Sequence, residues 1–102
     1  MKHSINWLQD KANDIREDII KMLEHAASGH SAGPLGLADI LTALYFEVMK
    51  YNAKNPDWEL RDIFLLSNGH CVPVQYVAMA HAGFFDRKEL LTLRQLGSRL
   101  QG

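Results

Sequence analysis

The sequence is poor in the residues that mark several functional classes. It has one cysteine, Cys71. No internal disulfide or cysteine-rich zinc site can form, which excludes a disulfide-stapled secreted domain. It has no excess of one charge: 11 basic residues stand against 12 acidic ones, scattered singly, for a formal net charge of −1. That leaves no basic footprint for nucleic acid and no polybasic segment for a membrane surface. No uninterrupted apolar run exceeds five residues, against the roughly 20 that a spanning helix needs. Residues 1–18 mix acids and bases and do not read as a signal peptide. Together these absences predict a soluble, cytoplasmic protein with neither nucleic acid nor membrane as partner.

What is present is a foldable chain. Of its 102 residues, 47% are hydrophobic and 23% charged, which argues against wholesale disorder. A prior of about 150 residues per domain gives one domain or less. The core should be thin, because a chain of this mass buries only about 65% of its extended surface.

Apolar spacing predicts a first helix over residues 6–27. Leu8, Ala12, Ile15, Ile19, Met22 and Ala26 form one stripe at steps of three and four. Asn6 with Gln9 is a capping-box-like start. Such a helix is about 33 Å long, which suggests that it lies along a larger body. Residues 28–36 hold three glycines and a proline and read as a loop. A second helix is predicted over residues 37–51. It is apolar most of the way round, so it should be buried on several faces.

Residues 52–61 are polar, with Asn55-Pro56-Asp57 as a turn signal. Ile63-Phe64-Leu65-Leu66 is a short continuous apolar run and reads as a fully buried strand. Helices are expected over residues 73–82 and 87–96. Asp86 caps the latter, with Glu89 completing a capping box, and Gly97 ends it. A lone strand lacks partners for its backbone groups. It reads as the first strand of a larger α/β sheet.

Two Gly-His loops carry the chemistry. One runs Ser28-Gly29-His30-Ser31-Ala32-Gly33-Pro34-Leu35-Gly36, the other Ser67-Asn68-Gly69-His70. Each follows a hydrophobic element and precedes a helix, where α/β folds bind ligands. Glycine lets backbone approach a ligand closely, and the imidazole titrates near neutral pH. The pair suits hydrogen bonding to hydroxyls or phosphate oxygens and proton transfer at a carbonyl carbon. The competing reading is that each histidine merely caps a helix or satisfies local backbone. The first loop is not a P-loop: no Gly-Lys-Ser/Thr follows, and Pro34 removes an N–H. His30, His70 and Cys71 lack compact zinc spacing. Cys71 reads as an unreactive small residue rather than a nucleophile. His3, His25 and His81 read as surface or helix-flank residues, and Trp7 and Trp58 as packing or interface anchors.

Taken together and in order, these segments resemble the N-terminal region of transketolase. The likeness runs from Ala12-Asn13-Asp14-Ile15-Arg16 through Ser28-Gly29-His30 and Gly33-Pro34-Leu35-Gly36 to Ala38-Asp39-Ile40-Leu41-Thr42. It continues in Asn55-Pro56-Asp57-Trp58, Arg61-Asp62, Leu66-Ser67-Asn68-Gly69-His70 and Arg94-Gln95-Leu96-Gly97-Ser98-Arg99-Leu100-Gln101-Gly102. The first helix is most similar to that of split, two-subunit transketolases. The resemblance implies the N-terminal portion of a thiamine-diphosphate-binding α/β fold with a parallel sheet. Residues 1–102 would form an incomplete part of that domain, mostly helical with about one short strand.

The implied activity is transfer of a two-carbon ketol unit between sugar phosphates, with thiamine diphosphate and Mg2+ as cofactors. By resemblance His30 contacts substrate and supports proton transfer. His70 lies against the cofactor diphosphate and the substrate channel. The expected partners are a sugar-phosphate substrate and a C-terminal transketolase subunit or further copies of the chain.

There are departures. Ser31 and Ala32 stand where the family has proline and glycine, and Cys71 where it has alanine. None of the seven glycines is followed by Asp, so the family's Gly-Asp-Gly metal signature is missing. The glutamate that activates the thiazolium ring belongs to another domain. The chain is therefore expected to be inactive alone. The alternative is a non-catalytic module that associates with full-length transketolase subunits. A deoxyxylulose-phosphate-type synthase shares the early Ser-Gly-His, but the Asn-Pro-Asp-Trp and Arg-Asp blocks argue against it.

Overall fold

The computed structural model describes residues 2–27 and 32–101. Three helices carry the fold: α1 (Ile5–Ala26), α2 (Ala32–Ala43) and α3 (Val72–His81). A π turn, Leu44–Val48, continues α2, and 3-10 turns at Gly69–Cys71 and Arg87–Thr92 flank α3. The radius of gyration is 13.2 Å, close to the roughly 13 Å of a compact 100-residue domain.

The predicted stripe on α1 is its buried face: Ala12, Ile15, Ile19, Met22 and Leu23 are buried. They meet Ala38 and Leu41 of α2 and Val74, Val77 and Ala78 of α3 in one cluster, closed below by Leu90, Leu93 and Leu100. The helix starts one residue before the expected position. Ser4 is the cap, not Asn6, because its hydroxyl accepts from the Trp7 N–H at 3.0 Å while its own backbone stays extended. Ala27, in the left-handed region at φ 54°, closes the other end by donating its N–H to the Glu24 carbonyl.

Several expectations are corrected. Ala32–Gly36 is not loop but the start of α2. Pro34 falls in the first turn, where a missing N–H breaks no helical bond. The second helix stops at Val48, not Tyr51. Its last turn widens so that Met49 N–H reaches the Leu44 carbonyl at 2.8 Å. The Thr42 hydroxyl donates back to the Ala38 carbonyl one turn earlier.

Residues 63–66 form neither helix nor strand, and no strand occurs among the described residues. Instead of full burial they alternate. Phe64 packs on the core, while Ile63 and Leu65 are 70% and 86% exposed, because no second strand lies beside them. The final helix is only the 3-10 turn Arg87–Thr92. Asp86 caps it as expected, accepting from Lys88 N–H at 2.9 Å. Glu89 does not complete a capping box; Arg99 takes its carboxylate in a two-pronged pair at 2.5 and 2.9 Å. The Asn55-Pro56-Asp57 turn is present, with Trp58 N–H donating to the Asn55 carbonyl at 3.0 Å.

His81 is also corrected. It is no helix-flank surface residue: its side chain is 2% exposed. Its Nε2 lies 2.6 Å from Asp18 Oδ2, and the Arg87 guanidinium donates to the same carboxylate at 2.8 Å. This cluster ties α1, α3 and the last turn together. Burial alone would raise the Asp18 carboxyl. The hydrogen bonds from His81 and Arg87 and their charges outweigh it and hold Asp18 below the usual carboxylate value. Its contribution to stability is therefore complete above that usual value and is lost as pH falls through the lower folded value.

Asp18→Ala should cost about 1–3 kcal/mol in urea unfolding, since it strands a buried imidazole N–H. Arg87→Ala should cost under about 1 kcal/mol, as Arg87 is 59% exposed. Equal losses from the two variants would contradict this account.

Candidate functional site: two Gly-His segments meeting at Gly33 and Cys71

The second Gly-His segment is shaped by a single 3-10 turn. Cys71 N–H donates to the Asn68 carbonyl at 3.0 Å, and the Asn68 amide reaches Cys71 Sγ at 3.4 Å. These bonds turn Cys71 inward, where it is buried, and leave Gly69 and His70 exposed. A side chain added at Gly69 would meet open space, so this glycine gives a ligand clear approach to the backbone. His70 then stands just before α3, its imidazole at the surface.

His30 lies outside the described residues, as do Ser28, Gly29 and Ser31. The downstream flank of that segment is described. Gly33, three residues past His30, packs directly on Cys71, one residue past His70. A Cβ at Gly33 would sit 2.4 Å from Cys71 Sγ. The N-terminal turn of α2 and the turn before α3 therefore touch where only glycine fits. Cys71 reads as expected in one respect: it is a buried, free thiol used for packing. The sequence departure after the second Gly-His is thereby accounted for, because its sulfur fills the space beside Gly33.

Among the described residues no group of three His, Cys, Asp or Glu side chains could hold a metal ion. The tail motif forms an open groove of about 480 Å³ lined by Glu89, Gln95, Gly97, Ser98 and Arg99 among others. The Thr92 and Ser98 hydroxyls bond to each other at 2.7 Å on its wall. The carboxyl of Glu89 is held below its usual value, first by the Arg99 hydrogen bond and then by its charge. Sequence reasoning leaves out Lys11 and Asp18, the partners of the His81 it places at the surface. Their only signal was spacing: Lys11 and Asp18 are seven residues apart, two turns on one side of α1.

Gly33→Ala carries a sign that tests the contact. In an open helix this change stabilises by about 1 kcal/mol. Here it should destabilise by about 1–3 kcal/mol through overpacking, and in a Cys71→Ala background it should revert to neutral or stabilising. Thermal unfolding of the four variants of the cycle measures this. A Gly33→Ala effect independent of Cys71 would refute the contact.

The family described as transketolase, thiamine diphosphate binding domain, matches residues 8–102. The chain is 40% identical to the transketolase of Mus musculus over 101 residues, covering 99% of this chain and 16% of that protein. It is 45% identical to the chloroplastic transketolase of Zea mays over 97 residues, covering 93% of this chain and 14% of that one. The structure superimposes on the transketolase from Leishmania mexicana with a TM-score of 0.89 at 37% identity, covering 99% of this chain and 15% of that one. The chain thus spans about one sixth of the length of the curated relatives it matches. By this match, and by the likeness along nearly its whole length, the chain belongs to the transketolase family, within its thiamine diphosphate binding domain.

Proposed function

We propose that this chain supplies the N-terminal share of a transketolase site that moves a two-carbon ketol unit between sugar phosphates. The observation that carries this reading is the contact of Gly33 with Cys71, which joins the flanks of the two Gly-His segments. In this reading His30 hydrogen-bonds substrate hydroxyls and relays their protons. A neutral imidazole both accepts and donates at neutral pH. His70, exposed beside the open face of Gly69, donates to the cofactor diphosphate and lines the substrate channel.

The residues present fit the diphosphate end of thiamine diphosphate. Gly69 admits close approach and His70 offers a donor. When bound, the cofactor supplies the carbanion chemistry at its thiazolium ring, while the protein orients substrate and handles protons. The fit does not extend to Mg2+: the described residues hold no set of ligands for it. Its ligands, and the glutamate that activates the cofactor, come in this reading from further polypeptide. That polypeptide is a C-terminal transketolase subunit, in the cytoplasm; another copy of the chain lacks the same ligands and serves only as an additional partner. Leu60, Ile63 and Leu65 support such a partner, as three large apolar side chains exposed along one stretch.

The same exposed stretch also favours a second reading, a non-catalytic module that associates with full-length transketolase subunits. The two readings part on whether ketol transfer depends on His30 and His70.

The chain alone should not bind the cofactor tightly. Calorimetry with thiamine diphosphate and Mg2+ is expected to show no tight stoichiometric isotherm, and a sharp one-to-one isotherm would contradict the proposed division of ligands.

A further inference from the structure

His81 is held from both sides, and the two sides decide its tautomer. Lys11 Nζ lies 3.4 Å from Nδ1. An ammonium can only donate, so Nδ1 is the nitrogen carrying the lone pair. The ring proton is then on Nε2 and is donated to Asp18 Oδ2 at 2.6 Å. The charged groups acting on the ring are Lys11 and Asp18 from α1 and Arg87 from the last 3-10 turn. Burial is the main force keeping the imidazole neutral below its ordinary value. The Lys11 and Arg87 charges add to it, and only Asp18 opposes.

Lys11 is also the joint to the N-terminal arm. Its ammonium sits 5.5 Å from the Trp7 ring centre and 5.6 Å from that of Phe46. Trp7 stacks on His3 at 3.7 Å between ring centres. The backbone N–H of His3 donates to Glu47 Oε1 at 2.6 Å, and that of Lys2 to the other oxygen. One lysine therefore connects the end of α3 to the seat of the arm on the Leu44–Val48 turn.

We propose that His81 and Lys11 form a proton-operated latch, in which a solvent proton taken up at Nδ1 expels the Lys11 ammonium and releases its hold on Trp7 and Phe46. The second ring proton would face a donor with nothing to accept it, and two cations would meet at hydrogen-bond distance. Asp18 cannot be the member that leaves, because a charged imidazole binds it more strongly. Lys11 has a long flexible stem and a route to water, so Lys11 moves. The stabilisation given by neutral His81 is full above the ordinary histidine value and declines as pH falls through the lower folded one. The latch is thus closed at neutral pH and open under mild acid. It is independent of the proposed transketolase role.

An NMR titration of the full chain tests it, following the imidazole resonances and the Trp7 indole N–H. His81→Gln assigns the histidine and Trp58→Phe the indole. The expected result is a His81 midpoint below about 6.5, with the Trp7 signal moving at the same midpoint. Lys11→Met should raise the His81 midpoint by at least about half a pH unit and uncouple Trp7. Should that variant fold poorly, Lys11→Gln, which keeps a donor but no charge, should raise it likewise. His3→Asn should leave the coupling in place. An unchanged His81 midpoint in both lysine variants would overturn the latch, as would a Trp7 signal that follows His3.

Discussion

Burial of one stripe on α1 is the constraint on which the rest of this structure depends. Ile15, Ile19 and Met22 have no exposed surface, and each such burial stabilises by about 1.5–3 kcal/mol. Helices α2 and α3 and the last 3-10 turn all pack on this stripe. Because α1 is the common support, the placement of α2 beside α3 follows from where each meets α1. The close contact between Gly33 and Cys71 is a consequence. Two segments 38 residues apart in the chain meet, since the helices they begin share one core.

That geometry links packing to chemistry. The turn at Gly69–Cys71 uses its cysteine for burial and thereby presents His70 outward. The same structural choice that fills the gap beside Gly33 thus orients the second histidine. At the opposite end of α3, His81 does the reverse: its imidazole turns inward and is committed to Lys11 and Asp18. The helix between them therefore carries an exposed histidine at its entry and a buried one at its exit.

The parts of the fold legible in the sequence were those governed by local period and capping. The α1 stripe, the Asp86 cap and the Asn55-Pro56-Asp57 turn all follow from short-range chemistry. What was misread depends on distant neighbours. Gly33 and Pro34 look like loop residues, yet the first turn of a helix tolerates proline and the contact with Cys71 requires glycine. Ile63 to Leu66 has strand composition, but a strand exists only with a partner, and none lies beside it among the described residues. Glu89 does not complete the capping box after Asp86, because Arg99, ten residues away, takes its carboxylate. His81 reads as a surface or helix-flank residue from the sequence, because its partners sit 63 and 70 residues away in the chain. Of the site, the two Gly-His segments were legible as motifs. The contact of their flanks, Gly33 on Cys71, is not, because it arises from packing on α1.

In the function proposed above, His30 and His70 work in one transketolase site completed by further polypeptide. The most direct test is reconstitution: the chain is mixed with a polypeptide spanning the remaining length of a transketolase relative, and ketol transfer between sugar phosphates is assayed with thiamine diphosphate and Mg2+. Activity is expected only when both parts are present, reduced at least about 100-fold by alanine at either histidine. No activity from a complex that does assemble, or activity indifferent to both histidines, would contradict it.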